Sequence, residues 1–138
     1  MSYEHFQTVR QRELRERKEW LQSLKTGDAV CLYHSGWGTP RYELLNVKRT
    51  TATQIICTRI QPQGYVHEVK YRKEDGRQVG SDDYAAIEPI TDKVRVTNRR
   101  YFLESWFAGL NRNNLSTECL EAMYRAYAVW DEKEMTND

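Results

Sequence analysis

Two hydrophobic periods divide this chain. From Tyr3 to Leu24, residues set every 100° place Phe6, Val9, Leu14, Trp20, Leu21 and Leu24 in one stripe roughly 140° wide, which predicts an amphipathic helix. Leu24-Lys25-Thr26-Gly27 reads as its stop, with Gly27 available for a left-handed cap. From Asp28 to Ile90 the period falls to two. Strands are expected at 29–33, 42–49, 54–60, 66–73 and, briefly, 77–79, all rich in Val, Ile, Thr and Tyr. Turn residues separate them: Ser35-Gly36-Trp37-Gly38-Thr39-Pro40, Gln61-Pro62-Gln63-Gly64 and Glu74-Asp75-Gly76. Asp75-Gly76 reads as a tight hairpin turn with positive φ at both central residues.

After Pro89 the helical period returns. Thr91 or Asp92 caps a helix to about Leu110, with Phe102, Leu103, Trp106, Phe107 and Leu110 on its buried side. Asn111 to Asn114 form a turn, and Ser116 caps a last helix with Leu115 and Leu120 as a hydrophobic staple. That helix carries Met123, Tyr124, Tyr127 and Trp130 before an acidic tail expected to fray.

With 138 residues the chain has the size of one domain and needs no metal or disulfide staples. Hydrophobic residues make up 39% and charged residues 30%, the balance of a folded protein and not of a disordered one. No run of about 18 apolar residues exists to span a membrane. The charged first twenty residues do not resemble a signal peptide, and Cys31, Cys57 and Cys119 lack metal-ligand spacing. Both features fit a cytoplasmic protein with reduced thiols.

Net charge is only +1, but it is segregated. Arg41, Lys48, Arg49, Arg59, Lys70, Arg72, Lys73 and Arg77 outnumber four acidic residues in 41–77, whereas 113–138 carries a balance of −4. A basic middle with an acidic end is compatible with an anionic partner at one surface.

The run Leu24-Lys25-Thr26-Gly27-Asp28-Ala29-Val30-Cys31-Leu32, followed by Gly36, Gly38, Leu45 and Val47, resembles the opening of a KOW-type small barrel. It covers about a quarter of the chain, and Tyr42 stands near where a third glycine is expected. The resemblance implies a Src-homology-3-like fold and a nucleic-acid, ribosomal or polymerase partner. The Gly-Asp strand, Thr51-Ala52-Thr53-Gln54-Ile55, Tyr71-Arg72-Lys73-Glu74-Asp75-Gly76 and the trailing helices also look like small phage or mobile-element accessory proteins. That likeness implies either nucleic-acid handling or inhibition of a host protein.

Trp37 between two glycines suits base stacking or anchoring of a protein, or else folds back over the barrel mouth. In 66–73, Val69 and Tyr71 fall on one strand face and Glu68, Lys70 and Arg72 on the other. Lys48, Arg59, Lys70, Arg72, Lys73 and Arg77 then converge on a phosphate-binding face, flanked by Arg41 and Arg49 and interleaved with Trp37, Tyr42 and Tyr65, or form a merely solvated face. Lys93, Arg95, Arg99 and Arg100 extend this strip or keep a helix face wet. Enzymatic signals are weak. His5, His34 and His67 lack metal-ligand spacing, a dyad of Cys57 with His34 or His67 has nothing to orient it, and Asp82-Asp83 lacks a third ligand.

The sequence thus predicts one α+β domain: an N-terminal helix (1–26), a small antiparallel five-stranded Src-homology-3-like β-barrel (27–90), a C-terminal helical pair (91–131) and an acidic tail (132–138). It is expected to be a non-enzymatic nucleic-acid-binding accessory protein without metal or cofactor. The alternative is a phage-encoded inhibitor or adaptor of a host protein complex. The stripe of Trp106, Phe107, Tyr124, Tyr127 and Trp130 packs on the barrel, pairs with a second copy or becomes a protein interface.

Overall fold

The computed structural model describes residues 3–35, 38–60, 64–81 and 84–136. Its elements are α1 (Tyr3–Ser23), β1 (Ala29–His34), β2 (Arg41–Thr50), β3 (Gln54–Ile60), β4 (Val66–Arg72), α2 (Asp92–Ala108), a 3-10 turn (Arg112–Asn114) and α3 (Thr117–Thr136). The chain forms two compact units, 1–103 and 104–138.

The first unit is an antiparallel meander, β1-β2-β3-β4. Opposed residues share a face. The register therefore puts Val30, Leu32, Leu45, Val47, Ile55, Cys57, Val69 and Tyr71 on one inner face. All eight are buried, with Leu21 and Leu24 from the end of α1 and Ile87 completing the cluster. Only that end of α1 reaches the core: Leu14, expected in the same buried stripe, is 58% exposed.

The expected closed five-stranded barrel is not formed; the sheet is open and four-stranded. The stretch 77–79 makes only isolated bridges, Gln78 to Tyr71 and Arg77 to Ala86, instead of a fifth strand. Gly76 and Gly80 both hold positive φ, so the chain turns at each end of those three residues. Loop backbone covers the sheet edges instead. Cys31 and Glu88 exchange two hydrogen bonds beside β1, and Arg72 N–H and Val79 N–H bond across to Arg77 and Lys70 carbonyls beside β4.

The Asp75-Gly76 turn also differs from expectation. Only Gly76 has positive φ, and the Arg72 N–H bonds the Arg77 carbonyl across a four-residue loop. The Asp75 carboxylate accepts the Arg77 N–H at 3.0 Å, which stabilises Asp75 in an ordinary conformation. Gly76 is also packed tightly: a Cβ there would lie 2.9 Å from Arg17 Nη2 and 3.3 Å from Leu21 Cδ2. Arg17 in turn donates to the Ile87 carbonyl at 2.7 Å, tying α1 to the loop that covers the core.

Helix α2 begins as expected at Asp92, with Val94 buried. Pairing of β2 with β3 ends at Asn46 and Thr58, and the Asn98 carboxamide takes the Tyr42 backbone beyond it. Asn98 Oδ1 accepts from the Tyr42 N–H at 2.8 Å, and its Nδ2 donates to the Tyr42 carbonyl at 3.0 Å. In the second unit, Ser116 caps α3 as expected, accepting the Cys119 N–H at 3.1 Å. Helix α3 continues to Thr136, so acidic residues 131–134 are helical. Among described side chains from Glu104 onward, none is buried.

Gly76→Ala should lower stability by about 2–3 kcal/mol, combining left-handed strain with crowding, whereas Gly80→Ala, facing open space, should lose only about 1 kcal/mol. Urea denaturation of both variants measures the difference. Asn98→Ala should lose about 1–3 kcal/mol because it orphans both Tyr42 backbone groups.

Candidate binding face

The outer face of the sheet carries Asn46, Arg49, Ile56, Thr58, Glu68, Lys70 and Arg72. A β-bulge between Val47 and Arg49 decides its charge. Strict alternation would turn Arg49 inward; the extra residue, Lys48, lets both cations face outward. Both reach one carboxylate: Lys48 Nζ lies 2.5 Å and Arg49 Nη1 3.8 Å from Glu68 Oε1. The Lys48 hydrogen bond, reinforced by the neighbouring cations, holds the Glu68 carboxyl below its usual range. Ile56, 2% exposed, lies in register between Arg49 and Lys70, whose stems flank it. Arg72 grips Asp75 with Nη2 at 2.6 Å and Nε at 3.2 Å. Burial raises the Asp75 pKa, but the Arg77 N–H and Arg72 charge outweigh it and leave the carboxyl low. Among the described residues Lys70 has no ion-pair partner.

Of the expected site, then, Lys48, Arg49, Lys70 and Arg72 come together on one face. The others disperse. Arg59 points to the inner face, its Nε 2.7 Å from Glu43 Oε2. Arg41 also lies on the inner side, its guanidinium 5.8 Å from the Tyr101 ring centre. Tyr42 keeps to the outer face by register, but at its β1 end, where its ring packs on Tyr33 at 5.1 Å and burial raises its pKa. Tyr65 is 74% exposed in the loop before β4. Lys73 opens the hairpin turn with its N–H on the Thr53 carbonyl, and Arg77 stacks 4.9 Å over Tyr84. Trp37 and Asp82-Asp83 lie outside the described residues.

Two groupings were not anticipated. At the polar end of the inner face, Glu43 bridges Arg59 and His34 Nε2, the latter at 2.9 Å. The nearby Tyr71 hydroxyl is buried beside Arg59, and burial pushes its pKa up to about 12. The second grouping is a cleft of about 500 Å³ lined by Arg17, Lys18, Tyr33, Glu74, Arg77 and Tyr84 among others. It holds both charges in near balance. The sequence signal for the first was inward alternation of Glu43 and Arg59; placing His34 beside them requires the β1–β2 register, which an intervening loop sets.

Burial pushes the Cys57 thiol up to about 11, and burial with the Glu88 charge does the same to Cys31. At both positions burial favours the protonated thiol, the opposite of what activates a cysteine nucleophile. Among the described residues no cluster of His, Cys, Asp or Glu could hold a metal ion, and no helix is long and apolar enough to cross a membrane. No family model, curated protein or solved structure matches the chain.

The buried thiols make stability fall in alkali. A folded pKa of about 11 against an ordinary 9.0 means the folded state holds its proton more tightly. That contribution is complete below about pH 9 and is lost as pH rises through about 11. Urea midpoints from pH 8 to 11 should decline by a few kcal/mol in free energy, roughly, and Cys57→Ala should flatten the decline.

Proposed function

We propose that this is a non-enzymatic, nucleic-acid-binding accessory protein that meets phosphates with the outer face of its sheet. The supporting observation is the bulge-assisted gathering of Lys48 and Arg49 on β2 with Lys70 and Arg72 on β4, across the intervening β3. Lys70 is available for a phosphate without breaking an ion pair among the described residues. Lys48 and Arg49 share one exposed carboxylate, a pairing of small net worth that a phosphate can replace. Thr58 and Asn46 add neutral hydrogen-bonding groups in the row beside the cations, next to Glu68. Few contacts imply modest affinity and weak sequence preference.

A protein-binding inhibitor or adaptor is the second reading. It is supported by the acidic 104–138 unit, whose helices expose Trp106, Phe107, Tyr124, Tyr127 and Trp130.

Fluorescence anisotropy with labelled single- and double-stranded RNA and DNA at about 50 and 200 mM salt tests the first reading. Binding should weaken steeply with salt, with a logarithmic slope of about −0.9 for each duplex phosphate contacted. Lys70→Glu and Arg49→Glu should each weaken it about tenfold or more, whereas Arg59→Gln, on the opposite face, should leave it unchanged. Absence of binding at low salt, or equal sensitivity to Arg59→Gln, rejects this face as the site.

A further inference from the structure

We infer that α2 and α3 carry the two halves of an antiparallel seam that closes between two copies of this chain. The inference is independent of nucleic-acid binding and concerns a different surface.

Helix α2 uses one side within its own unit: Val94 is buried, Asn98 holds Tyr42 and Tyr101 lies under Arg41. About 100° away, Arg95, Arg99, Phe102 and Trp106 follow the four-three-four spacing of a coiled-coil seam. Phe102 is 56% and Trp106 54% exposed. Helix α3 repeats the spacing with Leu120, Tyr124, Tyr127 and Asp131. Tyr124 is 69% and Tyr127 66% exposed. Its other side carries Glu121 and Arg125, which pair with each other at 3.9 Å.

The two stripes are complementary when laid antiparallel. Trp106 then faces Leu120, Phe102 faces Tyr124, Arg99 faces Tyr127 and Arg95 faces Asp131. Apolar meets apolar, a guanidinium meets an aromatic ring, and cation meets anion. Arg99 already stacks on Phe102 at 5.3 Å, and the Arg95–Asp92 contact at 3.0 Å is so exposed that it is readily exchanged. A parallel alignment would set Arg95 against Leu120 and Trp106 against Asp131.

Area favours a second copy as the occupant. With Leu103 and Trp130 flanking the seam, the exposed apolar surface is on the order of 800 Å² per chain, taking roughly 150–250 Å² for each fully buried aromatic. A stable interface requires about 800 Å² from each partner. An isologous dimer forms the seam twice, α2 of each copy on α3 of the other. It also answers the instability of α3 alone, a twenty-residue helix with no buried described side chain.

Sedimentation equilibrium of the full chain at micromolar concentration should give twice the 16.4 kDa chain mass. Arg95→Glu and Asp131→Arg should each weaken association about tenfold, through like charges at both seams. An equimolar mixture of the two variants should restore dimers, because both seams then pair opposite charges. Far-ultraviolet dichroism and thermal melting check that each variant folds. A monomer at all concentrations up to about 100 μM overturns the inference. So does failure of the mixture to recover, which would place the seam within one chain or with a different protein. A dimer indifferent to both substitutions overturns the seam as its interface.

Discussion

A four-stranded open sheet has one apolar face, and the first unit depends on what closes it. Eight side chains on the inner face are sealed by one end of α1, through Leu21 and Leu24, and by Ile87 from a loop. So small a cover leaves little tolerance. It explains why Gly76, where α1 and that loop meet, has no room for a side chain, and why Arg17 reaches across to the Ile87 carbonyl. The rest of α1 extends past this contact with Leu14 in solvent, its surface occupied by charged residues such as Arg12 and Glu16, which pair at 4.0 Å.

Once the inner face is dry, charge must distribute itself according to register. Glu43 and Arg59 alternate inward beyond the apolar zone and neutralise each other at its margin, with His34 alongside. A charge there without a partner would be costly, so the pair is better understood as closing the core than as chemistry. The outer face obeys the opposite logic. Its cations are solvated, its single central carboxylate is shared, and the bulge adds one more positive group than alternation allows.

Much of the fold was legible because it rests on period and punctuation. All three helices and four of five strands lie close to where the pattern put them, and Ser116 caps as its position suggests. Closure was not legible. Residues 77–79 have strand-like composition, but glycines on both sides limit them to isolated bridges, a length effect that propensity does not report. The site was half legible for a related reason. Lys70 and Arg72 follow from alternation in β4, whereas Lys48 and Arg49 share a face only through a bulge, and Arg59 was misplaced because counting basic residues ignores which way each one points. The one-residue period of error in a strand inverts a side chain completely, so charge tallies need register before they become surfaces.

The two units present a consistent contrast. The first has a sealed core, and its cations occupy a solvated sheet face. The second exposes Trp106, Phe107, Tyr124, Tyr127 and Trp130, and its charge balance is acidic. Residues that merely maintain solubility need no seam spacing, and a random scatter of exposed aromatics would be unremarkable. Here the spacing recurs on both α2 and α3, with basic residues ending one stripe and an acidic residue ending the other. Such matched polarity is what an antiparallel helical contact requires, because reversing one helix brings opposite charges together and keeps the aromatics in register. Under the seam proposed above, the helices would supply assembly, and doubling the chain would double the charged sheet surface. If the sheet face binds phosphate as proposed, two such faces in one particle would bind a polyanion with greater avidity than either alone, provided their separation matches sites along the strand.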